Sequence, residues 1–392
     1  MITQMRKRAV YLITGICLFF ASLMAFAIGS IAVTNAVQGS GKRDFVEYWA
    51  AGTQLIHDEN PYDIPSDQRL ERSVGANFTN PPIILNPPFI LPLLVPLGLM
   101  EAKMASQFWI TFNLVALGVS LWLIWRTNDK PPPTLLLLGL LFAPVLECLL
   151  AGQIGIFLLL SVALFLFMER SGRLELAGFA LIGCALKPHL FVLFGMVLLA
   201  WISYRRAYRV AIGFSIALLV TGSLAYWIDP HAWAQWVGCL RMMRPTEIFA
   251  PNLSKMLRLL VHPESAWIQF VPLVAGCGWA GWYFWTRRLS WNWLDHGMVL
   301  LVVSIGCSPY SWFTDEAMLL PAVLIAAFRT KAAGTSMLPF LLTLNVLLAE
   351  IVNGLTMTTA YLVWSIPGFL LLVLFAKWAE ARPNSVDFLE QV

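Results

Sequence analysis

Charge is scarce in this chain: Asp, Glu, Lys and Arg make up only 12% of its 392 residues, against 59% hydrophobic residues. Soluble domains carry about 25% charged residues. With a mean hydropathy of +0.72, a water-soluble protein of this length is excluded, and a polytopic membrane protein remains. Cysteines are few and unpatterned. Cys17, Cys148, Cys184, Cys239, Cys277 and Cys307 follow neither a metal-ligand spacing nor a disulfide framework. No cluster of metal-ligand residues is visible, so a reaction without metal or cofactor is expected. The internal repeat on which secondary transporters are built is also missing.

What the chain does have is long apolar runs. Spans are expected near 9–37, 104–125, 134–150, 154–169, 174–186, 189–202, 208–227, 267–285, 296–307, 316–328, 335–353 and 359–376. The sequence therefore predicts one all-α integral-membrane domain over 1–392, with about twelve transmembrane helices. The first run follows the basic start Arg6-Lys7-Arg8 but is too long for a cleaved signal peptide, and is read as a retained span. Placing the N-terminus in the cytoplasm gives every inner loop at least two Lys or Arg, as the positive-inside rule requires, and leaves both termini cytoplasmic. Two outer loops are long, about 38–103 and 228–266. The first ends in a stretch carrying Pro87, Pro88, Pro92 and Pro96, which favours a re-entrant or interfacial segment over a regular span.

This map carries Asp44, Gln153, Lys187, Asn252 and Asp315 to the face opposite the basic loops. Polar groups kept near hydrocarbon must be satisfied or solvated, so their gathering on one side points to a working site there. Asp44 follows the first span directly, among Phe45, Tyr48 and Trp49. A partly desolvated carboxylate there suits removal of a proton from a hydroxyl, with Glu47 one helical turn on; the competing reading is an interfacial charge beside an aromatic belt. Gln153, in Ala151-Gly152-Gln153, is either a hydrogen-bonding residue for a sugar or phosphate or a turn residue satisfying nearby backbone. Lys187, in Lys187-Pro188-His189, is a partner for a lipid phosphate or else a snorkelling lysine, with His189 adding a hydrogen bond. Arg241 and Arg244, and Lys255 and Arg258, are spaced to share helix faces and to attract an anionic headgroup. Tyr310, Trp312 and Phe313 form either a sugar-stacking wall, with Asp315 as its polar anchor, or an aromatic belt.

In order along the chain, Asp44-Phe45 with Tyr48-Trp49-Ala50-Ala51, Asn60-Pro61-Tyr62-Asp63, Asn86-Pro87-Pro88-Phe89, Pro96-Leu97, Gly152-Gln153, Lys187-Pro188, Asn252-Leu253-Ser254 and Ser308-Pro309-Tyr310 with Asp315 resemble glycosyltransferase family 87. That family comprises GT-C-fold mannosyltransferases that use polyprenyl-phosphate mannose. The resemblance implies inverting hexosyl transfer, with mannose expected, from a polyprenyl-phosphate donor to a glycolipid or glycan acceptor. It places the reaction at the extracytoplasmic face of a bacterial cytoplasmic (inner) membrane. It also implies Asp44 as general base, with Lys187, Lys255 and Arg258 around the donor phosphate. Glu47, Tyr48, Gln153, His189, Asn252, Tyr310 and Asp315 then line the substrate cavity. The expected partners are donor, acceptor and membrane lipids, with no nucleic acid. The chain departs from the family pattern at Trp49, where a second Tyr is common, and at Leu253, where Gln is typical; both bear on the acceptor and the hexose. The rival class is a lipid or solute transporter or flippase.

Overall fold

A computed structural model describes residues 44–76, 82–244, 248, 250, 252–332, 363 and 365–380. The expected spans 9–37 and 335–353 lie outside the described residues. The described residues contain helices and no strands. Apart from the five-residue helix Leu137–Leu141, the α-helices are α1 (Phe45–Ile56), α2 (Ile64–Ser73), α3 (Leu91–Gly98), α4 (Ala102–Thr127), α5 (Ala143–Ala151), α6 (Gly155–Arg170), α7 (Leu174–Ala180), α8 (Val192–Arg205), α9 (Tyr208–Ile228), α10 (Ala232–Met243), α11 (Leu253–Val261), α12 (Val271–Arg287), α13 (Met298–Gly306), α14 (Leu320–Ala332) and α15 (Ser365–Glu380).

Among the described residues, Ala102–Thr127, Pro188–Arg205 and Tyr208–Ile228 are long and apolar enough to cross a bilayer alone. Pro133–Leu140 and Ala143–Ala151, bent by 50°, make a fourth crossing if counted as one broken span. Length alone therefore supports three or four crossings among the described residues, which leaves the expected twelve unconfirmed. Several other expected spans correspond to shorter helices; α6 has 16 residues and α12 has 17. Their walls differ too. α6 is buried along most of its length, whereas α9 exposes Leu219, Val220 and Trp227.

The first long loop is helical. α2 starts at a cap in which Asp63 accepts from the Ser66 amide, followed by Pro65 in the first turn, where a missing N–H costs nothing. The proline stretch is also more regular than expected. Pro88–Ile90 forms a 3-10 turn that runs into α3, with Pro92 in the first turn and only Pro96 inside. α3 packs on α1 where Gly52 and Gly98 meet, and a Cβ on either would strike the other helix's backbone. The proline stretch thus buttresses α1.

α6, α8 and α12 each close on an arginine (Arg170, Arg205, Arg287), while the segments preceding them carry Gln153, Lys187 and Gln269. At 1.5 Å per residue, the 16 residues of α6 separate these two ends by roughly 24 Å. The cationic end is bound together by Arg170–Asp129 at 3.0 Å and by Arg329 on Asp295.

Candidate active site

Asp44 is the N-cap residue of α1, at the positive end of the helix dipole, and its side chain does not cap the helix. Gln153 collects this first turn. Its Nε2 donates to Asp44 Oδ2 at 3.1 Å and to Glu47 Oε1 at 3.4 Å, while its Oε1 accepts from the Tyr48 hydroxyl at 2.8 Å. The sequence reading gave Gln153 to a sugar or to nearby backbone. In the structure its amide is committed to three side chains more than 100 residues away in sequence.

Gln153 is aimed by the end of α5. Gly152 caps that helix with φ +75°, a left-handed conformation that suits glycine. A Cβ there would fall 2.6 Å from Phe45 Cβ. Trp109 of α4, fully buried, fixes the same turn by donating to the Gly152 carbonyl at 2.6 Å, and its ring packs on Tyr48 at 5.4 Å. Sequence reasoning missed Trp109, because a tryptophan within a long apolar helix carries no sign that its indole N–H serves a site.

Burial raises Glu47 to about 8, with the Asp44 charge adding to the shift, so Glu47 is neutral near pH 7. Tyr48 is also raised, by burial first and then by Glu47. Glu71 of α2 is raised to about 7 by burial and by Asp44, and Asp67 is raised by burial and by Glu71. Gln54 Nε2 lies 3.5 Å from Asp67 Oδ1 and joins this acidic group. Of the three acids in this group, only Glu47 was expected near the site. Asp67 and Glu71 look like solvated loop acids until α2 folds onto α1.

The second half of the site is built around Lys187, between two 3-10 turns, Leu181–Leu186 and Pro188–Phe191. Lys187 Nζ lies 2.6 Å from Asp315 Oδ1, and the other Asp315 oxygen accepts from the Trp312 amide at 2.9 Å. Asn86 ties this segment to the first loop by donating to the Leu186 carbonyl at 3.0 Å. His189 packs against the Tyr310 ring, and its Nε2 is buried without a hydrogen-bond partner among the described residues. Tyr310 and Trp312 are half-buried and joined by an indole N–H to hydroxyl bond of 2.5 Å. Phe313 is 1% exposed and packs in the core, so the expected aromatic wall has two members. Asp315 is buried, pairing with Lys187 through one oxygen and holding the backbone of Trp312 in that wall through the other.

Asn252 caps α11, accepting from the Lys255 amide at 2.8 Å and donating to Ser311 Oγ at 3.3 Å. Lys255 and Arg258 are both buried. Arg258 donates to the Pro263 carbonyl at 2.7 Å and to Gln269 Oε1 at 3.3 Å, and Gln269 donates to the Pro309 carbonyl. The outward face of α11 shows Leu253, Leu259, Leu260 and Val261 instead, an amphipathic helix with its polar side inward. Arg241 is on α10, but Arg244 is its left-handed C-cap, so the expected Arg241–Arg244 helix face does not form. Among the described residues no three His, Cys, Asp or Glu side chains are grouped to hold a metal ion.

Asp44 and Gln153, Lys187 and Asp315, and Asn252 and Ser311 thus come together in pairs. Glu47 senses the Lys187 charge, and Tyr310 senses Asp315, Glu47 and Asp44, which places the halves within electrostatic reach. Such a site holds a carboxylate beside a hydrogen-bonded cation, the pairing a group transfer with an anionic leaving group uses. No curated protein and no solved structure matches the chain. A family model described as Glycosyltransferase family 87 matches residues 85–309, which include Gln153, Lys187 and Asn252 and begin after Asp44. Because that match covers more than half of the chain, the protein belongs to glycosyltransferase family 87.

Proposed function

We propose that this membrane glycosyltransferase moves a hexose, mannose as the first candidate, from a polyprenyl-phosphate donor to a glycolipid or glycan acceptor, with inversion. Asp44 acts as general base in this reading. Its carboxylate removes the proton from the acceptor hydroxyl as that oxygen bonds to the anomeric carbon. The bond from that carbon to the phosphate oxygen breaks on the opposite face, and the polyprenyl phosphate departs with the electron pair. Lys187 meets the departing charge, exchanging part of its hold on Asp315 for the phosphate. Lys255 adds positive potential, while Arg258 holds α11 in place.

The observation that carries this reading is the hold of Gln153 on Asp44, which aims a carboxylate without neutralising it. Support for a lipid-borne donor comes from α11, whose cations face inward while its leucines face outward, so hydrocarbon and phosphate have separate places on one helix. The active site is assigned to the extracytoplasmic face, opposite the arginine-rich ends. Because Lys187 already supplies the positive charge, transfer is expected to persist in a chelator.

The test is sugar transfer from synthetic polyprenyl-phosphate mannose by purified wild type and Asp44→Asn. Asp44→Asn is expected to lose at least a thousandfold in kcat, in the range of general-base catalysis, while retaining donor binding. Transfer at wild-type rate by a properly folded variant sinks the assignment. Transport of the same lipid in proteoliposomes without transfer would favour a flippase instead.

A further inference from the structure

The arginine-rich end of the bundle carries a second feature, far from the polar site. Between α8 and α12 lies a groove of about 450 Å³, walled by Met196, Ala200 and Tyr204 on one side and by Gly281, Phe284 and Trp285 on the other. It is apolar and reaches the molecular surface: Tyr204 is 42% exposed and Trp285 63%. Gly281 leaves it room, since a Cβ there meets nothing within 4 Å.

The groove ends in cations. The Arg288 guanidinium sits 4.0 Å from the Trp285 ring centroid and 5.9 Å from that of Tyr204, so it covers one wall residue from each helix. Arg205, next to Tyr204, crosses to the turn that follows α12 and donates to the Leu289 carbonyl at 3.0 Å. Arg206 comes next, exposed to solvent. Among the described residues no carboxylate pairs with any of these three. The neighbouring acids Glu175 and Asp295 are taken by Arg209 and Arg329.

We propose that this groove binds one anionic phospholipid of the leaflet beside the arginine-rich loops. An acyl chain would lie along Met196, Ala200 and Gly281, and the headgroup phosphate on Arg205, Arg206 and Arg288. Charge complementarity selects the occupant. A lipid with net negative charge gains from three cations that lack carboxylate partners among the described residues, whereas a zwitterionic one brings its own ammonium against them. The site is independent of the transfer reaction and holds whichever sugar or donor the enzyme uses.

Native mass spectrometry of the purified full chain tests it, with phosphatidylglycerol and phosphatidylcholine of identical acyl chains as probes. Wild type is expected to retain phosphatidylglycerol preferentially. Arg205→Gln with Arg288→Gln should cut that preference roughly 25-fold, about fivefold per arginine. Gly281→Phe, which fills the groove and leaves the arginines in place, should lower retention of both lipids. Equal retention of the two lipids by wild type overturns the proposal without any variant. So does an unchanged preference in the double arginine variant, and so does undiminished retention in Gly281→Phe.

Discussion

Lys187 and Asp315 are 128 residues apart in sequence and form an ion pair of 2.6 Å, with side-chain exposures of 12% and 1%. This contact joins the break before α8 to the segment before α14. It also determines which partner matters more to the fold. Asp315 is the deeper group and holds the Trp312 amide with its second oxygen, whereas Lys187 retains some access to solvent.

Asp315→Asn keeps an acceptor for Trp312 but strands the Lys187 ammonium, and losing one member of a buried pair costs about 3–5 kcal/mol. A lower melting temperature in detergent is expected. Adding Lys187→Met should restore much of that stability while leaving transfer impaired. If Asp315→Asn alone melts like wild type, the pair carries no structural weight.

Glu47 makes stability depend on pH. Its carboxyl is raised from 4.5 to about 8, mainly by burial and secondarily by Asp44. The unfolded chain ionises above pH 4.5 while the folded chain keeps the proton, so folded protein binds more protons between the two values. This contribution is complete below 4.5 and is lost as pH rises toward about 8. Melting temperature should therefore fall across that window in wild type, and the slope should flatten in Glu47→Gln. An equal slope in both proteins would show that Glu47 is ionised in the fold.

Gly152 holds the aim of Gln153. Alanine at φ +75° is strained, by about 1 kcal/mol or more, and its Cβ meets Phe45. Gly152→Ala is expected to lower stability modestly and kcat substantially, because the displaced turn releases Asp44. Trp109→Phe, which removes the indole donor to the Gly152 carbonyl together with part of a buried ring, should reproduce the kinetic loss in weaker form. A normal kcat in both variants would disconnect this turn from catalysis.

Much of this site was legible from where the chain interrupts its apolar runs. Asp44, Gln153, Lys187, Asn252 and Asp315 are polar residues at helix ends, and spacing alone brings them to one end of the bundle. Their partners were not legible. Nothing in Gly152-Gln153 says that the amide reaches back to Asp44, and nothing around Asp315 names Lys187, because long-range pairing depends on how helices pack. The proline stretch, expected as a re-entrant or interfacial segment, is a helix too short to span, and its regularity has a local reason: Pro92 falls in the first turn of α3, where proline fits, and α1 supports the remaining turns of that helix. The count of spans is harder to read, since short apolar helices packed inside a bundle and short crossings share one composition.

Arg258 separates structure from substrate binding. It is 3% exposed and holds Pro263 and Gln269, and Gln269 in turn holds the Pro309 carbonyl beside Tyr310. Removing the guanidinium leaves the buried Gln269 Oε1 without this donor, at about 1–3 kcal/mol. Arg258→Met should therefore speed hydrogen exchange over 252–261 and 308–312 in protein without donor, and lower kcat through that loosening. Arg258→Lys, which keeps the charge but not the planar fork, should fall between the two. Were Arg258 instead a pure phosphate ligand, exchange in donor-free protein would stay at the wild-type rate, KM for the donor would rise, and lysine would rescue it.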